Sequence, residues 1–79
     1  MTTVAYLTPE QCRAARALLK WSQEELAYQA NVSVLTIRHF EKEKTVPLRV
    51  TLAMISGALQ SAGVEFTNGD APGVRLRRS

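Results

Sequence analysis

Cys12, Ala15, Leu18 and Leu19 recur at the three-and-four spacing of an amphipathic helix, with Arg13 and Lys20 toward water. Thr8 stands before this run as a cap, Pro9 suits the first helical position and Gln11 the third, so the pattern predicts a helix over 9–20. Leu7 and Cys12 are placed to close a hydrophobic staple around its start. A second start is marked by Ser22 with Glu25 three positions on, a capping box flanked by Trp21 and Leu26, and predicts a helix over 23–30. Asn31 then supplies a residue that tolerates the left-handed backbone ending a helix. Ser33 can cap a third helix, whose Ile37 and Phe40 face the core while Leu35, Arg38, His39 and Lys42 share another side. Pro47 fits the first turn of a fourth helix with Leu52, Ile55, Leu59 and Ala62 on one stripe, ended by Gly63.

Beyond Gly63 the period changes to two. Val64 and Phe66 alternate with Glu65 and Thr67, and Val74 and Leu76 with Arg75 and Arg77. Asn68-Gly69 and Pro72-Gly73 are turn chemistry, so a β-hairpin with a six-residue connection is expected. The fold class is therefore mainly α, four helices followed by a short C-terminal hairpin. The expected organisation is one domain over 1–79, with a helical core over 9–62 and the hairpin over 64–77.

Two short helices joined at Asn31 make a helix-turn-helix, and the residue sizes suit it. Ala27 is small enough for the third helix to approach the second, and Val32, Ile37 and Phe40 can fill the junction.

Of the 79 residues, 46% are hydrophobic and 22% charged, the balance of a folded globular chain. No apolar run approaches the roughly 20 residues of a membrane helix, and Met1 to Pro9 lacks a signal-peptide pattern, so a cytoplasmic location is expected. One Cys and one His leave no disulfide or zinc cluster within a chain, and no cofactor is expected. Neither paired carboxylates nor a phosphate loop is present, so no enzyme activity is expected. The formal charge of +3 favours polyanionic partners without requiring them.

From Ser22 to Pro47 the chain carries Ser-Gln-Glu-Glu-Leu-Ala, a turn residue, an apolar residue, then Ser and Ile, Phe-Glu and a later proline. This pattern resembles the phage-repressor-like, Cro/Xre-type helix-turn-helix regulators, and with the flanking helices the resemblance covers about residues 9–62. It implies sequence-selective binding of double-stranded DNA, with a recognition helix over about 33–43 in the major groove and helix two across the phosphate backbone. Gln23 would then contact phosphate. Ser33, Val34, Leu35, Arg38 and His39 match the positions that reach bases or nearby phosphates, and Lys42, Lys44 and Thr45 continue the phosphate track, with Arg49 a further candidate. The family also suggests a scaffold ion pair, Arg16 with Glu41.

Asn31 replaces the family's usual glycine, and Val34 and Leu35 stand where hydrogen-bonding side chains are frequent. Apolar groups there can touch thymine methyls, leaving Arg38 as the candidate for a guanine or phosphate contact.

Competing readings exist for several of these residues. Cys12 reads as an inert core thiol with no cationic neighbour, His39 as a polar contact rather than a pH sensor, and Trp21 and Tyr28 as packing residues. Val34 can be partly core, and the C-terminal arginines a solvated strand face. A two-stranded hairpin needs a cover, either helix four or a second subunit. The expectation is a homodimer formed through Val64, Phe66, Val74 and Leu76, on a pseudo-palindromic operator. The alternative function is a protein-interaction module or antitoxin-like protein with a toxin or other partner, anchored by Val34 and Leu35.

Overall fold

The structure is a computed structural model, described here over residues 7–67 and 72–77. The order is α1 (Pro9–Leu19), α2 (Gln23–Ala30), α3 (Val34–Glu41), α4 (Arg49–Ser61), β1 (Val64–Thr67) and β2 (Gly73–Leu76). The expected four helices and hairpin are therefore present. Among the described residues no helix is long and apolar enough to cross a membrane.

Side-chain caps start the first three helices. Thr8 Oγ1 accepts from the Gln11 amide at 3.0 Å and Gln11 Oε1 accepts from the Thr8 amide at 3.1 Å, closing a full capping box. Ser22 caps α2 through the Glu25 amide at 2.9 Å, but the reciprocal half of that box is not used, because Glu25 accepts from Gln29 one turn on. α4 begins two residues after Pro47, which lies outside it. Leu48 takes the cap position in extended backbone with no side-chain bond, and the fixed φ of proline serves that extended approach.

Three helices end on left-handed residues that are not glycine: Lys20 (φ 59°), Asn31 (φ 59°) and Glu43 (φ 60°). In each case the following amide reaches back to close the last turn, Trp21 to Arg16 O, Val32 to Ala27 O and Lys44 to His39 O. Asparagine tolerates this region; lysine and glutamate carry a Cβ clash there. Glu43→Gly is accordingly expected to raise stability by about 0.5–1 kcal/mol, read from the urea midpoint. An unchanged or lowered midpoint would show that the exposed Glu43 side chain contributes more than its backbone costs.

Among the described residues Leu26, Ile37, Ile55, Leu59, Val64 and Cys12 are the largest fully buried side chains, and α2 packs on both α3 and α4. Ala27 is buried at the α2 crossing as the size argument requires. Two apolar expectations are corrected. Leu18 is exposed, one residue off the stripe that buries Cys12 and Ala15, and α1 closes at Leu19 rather than Lys20. Tyr28 is 78% exposed and packs on nothing in the core; Leu26, Ala27 and Ala30 define the inner face of α2, and position 28 points away from it.

The hairpin pairs Val64 with Leu76 and Phe66 with Val74. β2 starts at Gly73, so the connection is one residue shorter than expected; the Asn68-Gly69 turn lies outside the described residues. Val64 is 1% exposed, and Phe66 and Val74 pack on the same core cluster as the helices. The cover is thus supplied within one subunit, by α1 as well as by α4. Gln11 fastens it: having capped α1, its amide nitrogen donates to Thr67 O at 3.2 Å and Gly73 O at 3.1 Å. Of the four side chains expected to join two subunits, Leu76 alone is left exposed. On the outer face Glu65 pairs with Arg75 at 2.7 Å and lies near Arg77, and these arginines hold its carboxyl below the usual range.

Candidate nucleic-acid interface

α2 and α3 meet through Asn31-Val32-Ser33, and the left-handed Asn31 supplies the sharp reversal. Ser33 caps α3, accepting from the Thr36 amide at 3.1 Å, and its hydroxyl lies 2.9 Å from Thr36 Oγ1. Ile37 and Phe40 anchor the inner side of α3 in the core. Its outer side then presents Leu35, 53% exposed, with exposed Arg38 and Lys42 and half-buried His39. Lys44 and Thr45 follow in exposed backbone, and Arg49 is exposed at the start of α4. A groove runs between α3 and the segment before α4, lined by Ser33, Leu35, Thr36, His39, Thr45, Pro47 and Thr51.

The structure separates two residues from this surface. Val34 is half-buried against the core, so its packing role is realised. Gln23 is at the first position of α2, as expected, but its amide nitrogen donates inward to Glu41 Oε1 at 3.1 Å.

Behind this face sits a buried carboxylate. Glu41 receives Arg16 Nε and Nη2, each at 2.7 Å, the Cys12 thiol at 3.1 Å and Gln23. The expected Arg16–Glu41 pair is therefore present, and it ties α1 to the last turn of α3 and, through Gln23, to the first turn of α2. Burial pushes the Glu41 carboxyl up, but the hydrogen bonds from Arg16, Cys12 and Gln23 with the Arg16 charge outweigh it, and the net shift is downward. Cys12 has cationic neighbours after all, Arg16 and Arg13; burial and the bond to Glu41 nonetheless drive its thiol far above the ordinary range, so it is inert for a different reason. Arg13, read as solvent-facing, also donates through Nη1 to the Glu41 carbonyl, satisfying a free acceptor at the end of α3.

The arrangement is a short helix capped at its start and bonded to α1 and α2 at its end, with a mixed cationic and apolar face turned outward beside the N-terminus of a second helix. A helix-turn-helix family model matches residues 13–66, which takes in every helix but the first turn of α1. The chain belongs to the Cro/C1-type helix-turn-helix family. As a helix-turn-helix regulator it is a DNA-binding protein of a family whose partner is double-stranded DNA. No curated protein matches the chain.

The helix-turn-helix reading of the sequence did not single out Thr36 and Thr51, hydroxyl residues that line the groove beside α3. Their small polar character at positions 36 and 51 was the available signal. It becomes informative only once α3 and α4 are side by side.

Proposed function

We propose that this protein is a sequence-selective transcriptional regulator that places α3 in the major groove and binds a pseudo-palindromic operator as a homodimer. The observation that carries the reading is the outward row of Leu35, Arg38, His39 and Lys42 on a helix whose opposite side is locked into the core. Arg38 supplies a guanidinium able to read guanine or grip phosphate, and Leu35 is exposed enough to meet thymine methyls. Lys42 ends the row as a phosphate contact, Ser33, Lys44 and Thr45 flank it as further ones, and the amides at the start of α2 beside Gln23 add another. An eight-residue helix spans few base pairs, and two-fold pairing is the usual way to double the site.

Selection of bound duplexes from a random pool tests the reading. Arg38→Ala is expected to relax base preference at one position of each half-site, by about 1–3 kcal/mol. Lys42→Ala should weaken all duplexes alike and make the salt dependence shallower by about one unit. Two half-sites about 34 Å apart would support the dimer. A protein that enriches no sequence and binds without salt dependence would not be a regulator of this kind. Binding to a protein that survives high salt and needs Leu35 would favour the partner-docking alternative, a toxin-like protein included.

A further inference from the structure

Arg38 is not free on the interface. Its Nη2 donates to Glu24 Oε2 at 2.9 Å, joining the middle of α3 to the first turn of α2, with the two side chains 46% and 63% exposed. Glu24 thus places a carboxylate at the helix terminus where a phosphate would approach, and beside the cation best suited to base recognition. The adjacent Glu25 carries the same charge in the same turn, but its carboxylate is engaged with Gln29 at 2.8 Å. Both acids complement the positive end of α2. Glu24 alone reaches α3.

Resting on the DNA-binding reading, we propose that Glu24 is a specificity-determining residue that orients Arg38 toward base edges and bars it from serving as a phosphate clamp. A guanidinium has five N–H donors, so one edge can remain on Glu24 while the others face a base. A phosphate competing for the same guanidinium meets the carboxylate at close range, and that repulsion acts wherever Arg38 lacks its base and would turn to the backbone instead. The carboxylate therefore lowers non-specific affinity while sparing the selected site.

The test measures binding of the full chain by fluorescence anisotropy, on the selected duplex and on a shuffled duplex of equal composition, across a salt series. Glu24→Gln is expected to bind the shuffled duplex about twofold to fivefold more tightly, the range open to an exposed ion pair, with selectivity reduced to match. Its salt dependence should steepen by about 0.9 in logarithmic slope, because Arg38 now neutralises a phosphate. Glu25→Gln removes the same helix-end charge and should leave selectivity and slope at the wild-type values. In Arg38→Ala, the further change Glu24→Gln should no longer steepen the slope. Unchanged selectivity in Glu24→Gln, an equal effect of Glu25→Gln, or an undiminished slope change without Arg38 would each overturn the proposal. A wild-type protein that binds neither duplex would instead overturn the DNA-binding reading, and this assignment with it.

Discussion

Glu41→Ala is expected to remove a large share of the protein's folding stability at 25 °C. The substituted residue is 4% exposed, and its removal takes the ion-pair partner from the Arg16 guanidinium, 19% exposed, which keeps its bond to the Trp21 carbonyl, and strands the donors of Cys12 and Gln23. Deleting one member of a buried pair costs about 3–5 kcal/mol, because the remaining charge stays dehydrated without compensation. Domains of this length have a total stability of only about 4–12 kcal/mol. A urea titration followed by circular dichroism should show the loss directly, and a midpoint equal to the wild type would remove Glu41 from the centre of the fold. Glu41→Gln keeps the shape and discards the charge, so it should fall between the two. Because the Glu41 carboxyl is lowered in the folded protein, its contribution is present above the ordinary carboxylate range. That contribution disappears as pH falls through the folded value, so Glu41→Gln should lose less stability below about pH 4 than the wild type does.

Alkaline solution should expose the opposite dependence at Cys12. Burial, with the bond to Glu41 and its negative charge, raises this thiol against the smaller opposing pull of Arg16 and Arg13. The folded protein then keeps its proton where the unfolded chain gives it up. A raised group stabilises fully below its unfolded value, and the benefit is lost as pH climbs toward the folded one. Above about pH 8.5, the wild type should therefore begin to lose stability from this residue, at a rate that approaches about 1.4 kcal/mol per pH unit. Cys12→Ala begins less stable at neutral pH, having surrendered buried volume and a donor to Glu41. Its decline above pH 9 should nevertheless be flatter by about that slope. Parallel pH profiles for the two proteins would show that the thiol is not held protonated.

Much of this was legible in the amino-acid sequence, and the reasons differ from element to element. Thr8, Ser22 and Ser33 identify three helix starts because their hydroxyls have one efficient local use, and Asn31 identifies the reversal because few residues accept its backbone. Lys20 and Glu43 accept the same backbone with nothing in their chemistry to announce it. Pro47 was ambiguous, since a fixed φ suits the first helical turn and the extended approach equally. The exposed members of the candidate interface, Leu35, Arg38 and Lys42, follow from the phase of a helix whose core side is obvious. Gln11 and Arg13 escaped because they bond to backbone carbonyls, which every residue has and no residue type advertises. Gln23 was placed correctly along the chain, but its inward turn depends on a carboxylate 18 residues away, and the Glu24–Arg38 pair spans 14. Apolar alternation found the hairpin strands without revealing which neighbour would cover them.

The Gln11 amide, donating to Thr67 and Gly73, joins positions 56 and 62 residues apart. Closing so wide a loop surrenders chain entropy before any contact rewards it, whereas α2 and α3 meet across a three-residue turn. Docking of α2 on α3, from neighbouring segments, is therefore expected to precede the closure of the hairpin on α1.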